Sequence, residues 1–138
     1  MRQIRLIVGD DGGLENWEKV PSWYWKHGLH DAKVLSICEE SCEPDWKSSL
    51  PVYNTLEIQL DSTKALYETD IIKIKLMNYK WISEPINVAD YPELWWERDT
   101  LACLPSGKFS LEIILQAPKK RRVVLQMEFT AAEVEKTV

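Results

Sequence analysis

"TLEIQLDS", residues 55–62, is the stretch on which the fold turns. Leu56, Ile58 and Leu60 alternate with Glu57, Gln59 and Asp61. Successive side chains of a strand point to opposite faces, so this run predicts a strand with one dry face and one wet face. "IIKIKLMNYKWIS", residues 71–83, repeats the pattern with Ile72, Ile74 and Leu76 inward and Lys73 and Lys75 outward. Two such strands predict an antiparallel sheet solvated on one side. On the wet face Glu57 is expected opposite Lys73 or Lys75. A cross-strand pair contributes only ~0.2–1 kcal/mol, so it sets register and does not drive folding.

The same period continues towards the C-terminus. "FSLEIILQ" (109–116) and "RVVLQMEFT" (122–130) read as strands, with Phe109, Leu111 and Ile113 on one face of the first and Val123, Leu125, Met127 and Phe129 on one face of the second. Between them Pro118 and the run Lys119, Lys120, Arg121 and Arg122 predict a solvated hairpin tip. The segment 95–103 is expected to be a strand after the proline-bearing stretch 84–94. "AKVLSICEE" (32–40) is apolar on both faces, which predicts a central strand. "RQIRLIV" (2–8) predicts a first strand, ended by the turn-rich "GDDGG". Pro21 and Gly28 bracket "SWYWKH" and predict a short helix there, because proline suits a first helical turn and glycine suits its close. The tail "AAEVEKTV" (131–138) is expected to add a helical turn or to fray. The expected architecture is α+β and mainly β. It is one domain over 1–138, with an antiparallel sheet of six or seven strands curled into a sandwich or open barrel and one short helix in the N-terminal half.

Composition fits that architecture. The chain has 138 residues, 45% hydrophobic and 28% charged, ordinary values for a globular protein with enough apolar surface to offset its ordering entropy. Seven tryptophans are many for this length, and most are expected inside, because an indole is a large apolar body with one polar N–H. The net charge of -5 argues against a nucleic-acid binder, whose affinity rests on neutralising phosphates. It favours a basic protein partner. No run reaches the roughly 20 apolar residues of a membrane span, and the N-terminus lacks the features of a signal peptide. Three cysteines, Cys38, Cys42 and Cys103, cannot all pair, which fits reduced thiols. A cytoplasmic location is expected.

Chemistry concentrates in "HGLHDAK", residues 27–33, which holds both histidines of the chain, His27 and His30, beside Asp31. Two imidazoles and a carboxylate could hold a divalent ion, and a metal-dependent hydrolase centred on His27, His30 and Asp31 is one reading. The structural reading is stronger: Gly28 permits a change of direction, His30 donates inward, and Asp31 fixes the turn into a strand. Cys38 lies eight residues beyond His30, roughly 25 Å along an extended strand, so the two make no local dyad. Glu39 and Glu40 project to opposite faces of a strand and make no acid–base couple. No catalytic residue, metal or cofactor is therefore expected. Trp17, Trp23, Trp25, Trp95 and Trp96 are expected to fill the core. The alternative is an exposed aromatic face that stacks on a sugar or anchors a protein. The candidate binding residues are His30, Asp31, Trp95 and Trp96.

"GLHDAKVLSI" (28–37), followed by "LEIQLDS" (56–62) and "IIKIKLMNYKWI" (71–82), resembles a group of small uncharacterised bacterial β-rich proteins. In these an "HDA" or "HDS" triplet opens a strand, and some are described as immunity proteins that neutralise toxins of polymorphic toxin systems. The resemblance covers about residues 25–82. It implies that His30 and Asp31 are the matching positions, with no catalytic role attached. The expected function is a small, non-enzymatic, protein-binding protein, immunity-like in its sharpest form. The alternatives are a small-molecule or carbohydrate-binding module and the hydrolase above. The sequence leaves the oligomeric state open.

Overall fold

In the computed structural model, residues 4–8, 23–25, 29–42, 53–65 and 69–137 are described, with 4–8, 41, 42 and 53 as backbone alone. Among the described residues nine strands follow in order: β1 (Ile4–Val8), β2 (Lys33–Cys42), β3 (Tyr53–Asp61), β4 (Ile71–Met77), β5 (Lys80–Trp81), β6 (Trp95–Cys103), β7 (Phe109–Ala117), β8 (Arg121–Phe129) and β9 (Ala131–Lys136). They form one antiparallel sheet in the order β5-β8-β7-β6-β2-β3-β4-β9, with β1 pairing β6 off this path. The sheet curls over without closing into a barrel. Among the described residues no helix is long and apolar enough to cross a membrane.

The curl is made by two strands that bend through one corner. β4 continues through Asn78 into β5, and β8 continues through Thr130 into β9. The two bent strands pair on both sides of the corner, Met77 with Ala131 before it and Lys80 with Glu128 after it. At the bend Asn78 takes a left-handed backbone, φ 53°, which asparagine tolerates better than most residues. Its Nδ2 donates to Thr130 Oγ1 at 2.9 Å, and the Thr130 N–H donates to the Met77 carbonyl at 3.0 Å. Strands that switch sheets at such corners let two layers pack across a shared core.

That core is the set read from the alternation. Leu56, Ile58, Leu60, Ile74, Leu76, Leu111, Ile113, Leu125, Met127 and Phe129 are all buried. Ile72 departs from its expected place: it is half-buried, and Ile71 is fully buried instead. The pairing of β4 with β9 shifts between Ile71 and Lys73, and one extra residue reverses the faces upstream of it. Lys75 stands opposite Glu57 as expected. The ammonium of Lys73 lies 3.6 Å from Glu135 of β9.

Two strands exceed the expected count, the two-residue β5 and the tail strand β9. The tail forms no helical turn. Ala132 is buried and Val134 half-buried on the core cluster, and pairing with the open edge of β4 outweighs the helical preference of alanine and glutamate. Of the helix expected between Pro21 and Gly28, residues 23–25 form a turn and bend, and the rest lies outside the described residues. A helix would turn neighbouring side chains about 100° apart. Here Tyr24 and Trp25 stack at 4.5 Å because both reach one buried group. The basic run is an exposed hairpin tip, a 3-10 turn over Pro118–Lys120 with Lys119 and Lys120 at φ 64° and 59°.

β2 sits mid-path, yet β6 pairs with it only at Lys33 opposite Trp95. From Leu35 onward its second edge has no strand partner among the described residues. The register against β3 skips Leu35, which bulges outward and is 51% exposed.

Candidate functional site

The strongest polar cluster is internal. Asp99 lies on β6 between Val8 of β1 and Ile113 of β7 and is 1% exposed. Tyr24 Oη donates to Asp99 Oδ1. Trp25 Nε1 and Trp96 Nε1 donate to Oδ2 at 2.8 and 2.9 Å. The Trp25 and Trp96 rings meet edge to face, with centroids 5.6 Å apart. One carboxylate thus satisfies the polar tips of three buried aromatics, each of which would otherwise bury a donor without an acceptor. The sequence carried a signal for this: Asp99 shares strand phase with Leu101, which places an acid on the dry face. The pairing shift between Trp96 and Arg98 turns Trp96 to the same side.

Burial pushes the Asp99 carboxyl up from its ordinary 3.8 to about 6, against the pull of its three donors. Burial, with the negative charge of Asp99 beside it, holds the Tyr24 phenol well above its usual value, so it stays a donor. The folded chain therefore binds a proton at Asp99 more readily than the unfolded chain. The stability this contributes is fully present below about 3.8 and is lost as pH rises through about 6. The expected size is on the order of 3 kcal/mol. Denaturant unfolding of the wild type against Asp99→Asn should show a stability difference that moves in favour of the wild type as pH falls from neutral to below 5. A pH-independent difference would contradict this.

His30 and Asp31 form the latch between β2 and β6. The half-buried His30 ring places Nδ1 2.9 Å from the Glu97 carbonyl. A carbonyl only accepts, so that nitrogen carries the proton. His30 Nε2 lies 3.6 Å from Asp31 Oδ1. Asp31 was expected to fix the turn by accepting backbone N–H groups. It takes a left-handed backbone instead, φ 71°, and its own N–H donates to the Trp96 carbonyl at 2.9 Å. The Trp96 N–H returns to the Ala32 carbonyl at 2.7 Å. His30, Asp31 and Trp96 are thus brought together, as a joint in the sheet. Trp96 is 1% exposed and serves Asp99, so no surface ligand reaches it, contrary to its expected place among binding residues. Trp95 is half-buried, with the Lys33 ammonium 5.8 Å from its ring centre. His27 lies outside the described residues, and among those described no three donors converge as a metal site requires. Cys38 and Cys103 are free thiols.

The open surface is elsewhere. A groove of about 480 Å³ runs along the second edge of β2, lined by residues 33–37 on one side and by Asn87, Val88, Tyr91 and Glu93 on the other. The Val34 N–H reaches the Leu94 carbonyl at its head. The buried Ser36 hydroxyl in its wall has no hydrogen-bond partner among the described residues. A larger cavity of about 830 Å³ lies between residues 23–25 and β9, but its lysines and glutamates are balanced three to three. No family model, curated protein or solved structure matches the chain.

Proposed function

We propose that the chain is a non-enzymatic protein-binding protein that takes an extended segment of its partner onto the free edge of β2. The observation that carries this is the run of β2 beyond Val34, which pairs with β3 on one side and, among the described residues, has no strand partner on the other. Unpaired backbone groups on such an edge are a template for an added strand. The bulged, half-exposed Leu35 supplies an apolar contact, and the groove beside it leaves room. The surroundings are acidic: Glu39, Glu40, Glu84, Asp90 and Glu93 are exposed, while Lys33 is drawn to Trp95. A basic, extended segment therefore fits. An immunity-like role, in which the chain occludes a basic partner, is the sharpest form of this reading.

A synthetic peptide of alternating valine and lysine tests it. Hydrogen exchange should show added protection, on mixing, at those β2 amides between 35 and 40 that face away from β3. Leu35→Lys should abolish that protection while changing stability by no more than about 0.5 kcal/mol, as for an exposed site. Protection that survives Leu35→Lys, or self-association through β2 with no uptake of peptide, would contradict the reading.

A further inference from the structure

Glu39 lies near the far end of β2, two residues past Ile37 at the end of the groove wall, a step of about 6.6 Å along a strand. Tyr79 and Trp81 approach it from the corner after β4. They share one face of the chain because they are two apart, and the exposed Lys80 between them points the other way. Tyr79 Oη and Trp81 Nε1 donate to the same atom, Glu39 Oε1, at 2.6 and 2.7 Å. The rings stand at 85°, with centroids 6.4 Å apart. Both are half-buried against the core, and Glu39 is exposed. Ile82, 50% exposed, follows at the rim.

Such an arrangement selects charge. Two donors are spent on one carboxylate oxygen, and Oε2 accepts from no described residue. Aromatic faces attract cations and their edges do not, so a cation here is held by a ring face together with the negative oxygen. Burial, with the hydrogen bond to Glu39, pushes the Tyr79 phenol up to about 12, so it remains a neutral donor and never competes as a second anion. The cluster and the groove share β2, whose Ile37 lines the groove and whose Glu39 takes the two donors.

We propose that Glu39, Tyr79 and Trp81 form a seat for the cationic head of an arginine or lysine side chain carried by the partner segment. This rests on the strand-addition reading of β2 and deepens it: the edge takes the backbone, and the seat chooses the residue.

The test uses the full chain with a ¹⁵N-labelled indole at Trp81. N-acetyl-arginine methylamide, N-acetyl-lysine methylamide and the neutral N-acetyl-norleucine methylamide are titrated separately. At least one cationic probe should shift the Trp81 Nε1–H saturably in the millimolar range, and norleucine about fivefold more weakly. The better of the two cationic probes names the preferred side chain. Glu39→Gln keeps an oxygen for both aromatic donors, so the fold should persist while the cationic response drops by about the same factor. An equal response to norleucine, no response to any probe, or an undiminished response in Glu39→Gln would overturn the seat. The valine–lysine peptide separates the two readings. If it protects β2 while no cationic probe moves Trp81, the seat fails and strand addition stands. If the cationic probes move Trp81 and the peptide leaves β2 unprotected, strand addition fails and the seat stands as a site for a free cation.

Discussion

Asp99→Ala is expected to lose about 3–5 kcal/mol of folding stability, the usual cost of breaking a buried charged network. Whole domains have only about 5–15 kcal/mol, so the variant should lose a large fraction of its stability and unfold at a clearly lower urea concentration. The size follows from what remains behind. The phenol of Tyr24 and the indoles of Trp25 and Trp96 stay buried, and each loses its acceptor. Asp99→Asn should fall between, since its amide offers one oxygen and turns N–H groups towards other donors. Urea unfolding followed by tryptophan fluorescence measures all three proteins. A double-mutant cycle adds the internal check: Tyr24→Phe should cost less in the Asp99→Ala background than in the wild type. Equal costs in both backgrounds, or a loss under about 1 kcal/mol for Asp99→Ala, would show that the carboxylate does not organise the cluster.

Trp25→Ala should cost a similar amount, about 3–5 kcal/mol, by a different route. Trp25 is 2% exposed and fills the space between Tyr24, Trp23 and Trp96. Truncation leaves a cavity and removes one of the two N–H groups on Asp99 Oδ2. Trp25→Phe keeps most of the volume and loses the N–H, so it should cost clearly less than Trp25→Ala. The ratio of the two losses in thermal and urea unfolding separates packing from hydrogen bonding. If phenylalanine costs as much as alanine, the hydrogen bond dominates and the cavity argument fails.

The sheet was legible because alternation is a local property. Leu56, Ile58 and Leu60 announce their face without reference to any neighbour, and 95–103 could be placed to the residue. Departures arose where a partner decides. The bulge at Ile71–Lys73 depends on β9, and β9 depends on the open edge of β4. The segment 23–25 depends on Asp99, more than seventy residues away, and no local propensity reports that. His30 and Asp31 drew notice because histidine is rare and chemically versatile, and they proved to join β2 to β6. Glu39, Tyr79 and Trp81 went unnoticed as a group. They come from two strands that meet only when the layer bends, and each alone reads as an ordinary surface or semi-buried residue.

The bend at Asn78 and Thr130 has a kinetic side. The two residues are 52 apart in sequence, and the ribbon they hold together welds the middle of the chain to a segment made much later. Hairpins such as β7–β8 can form as soon as both arms exist. The weld waits for a long loop to close, and its entropy must be spent before any contact there repays it. The β5–β8 pairs and the Asn78–Thr130 bond can shut one side of that seam, and β9 completes it along β4.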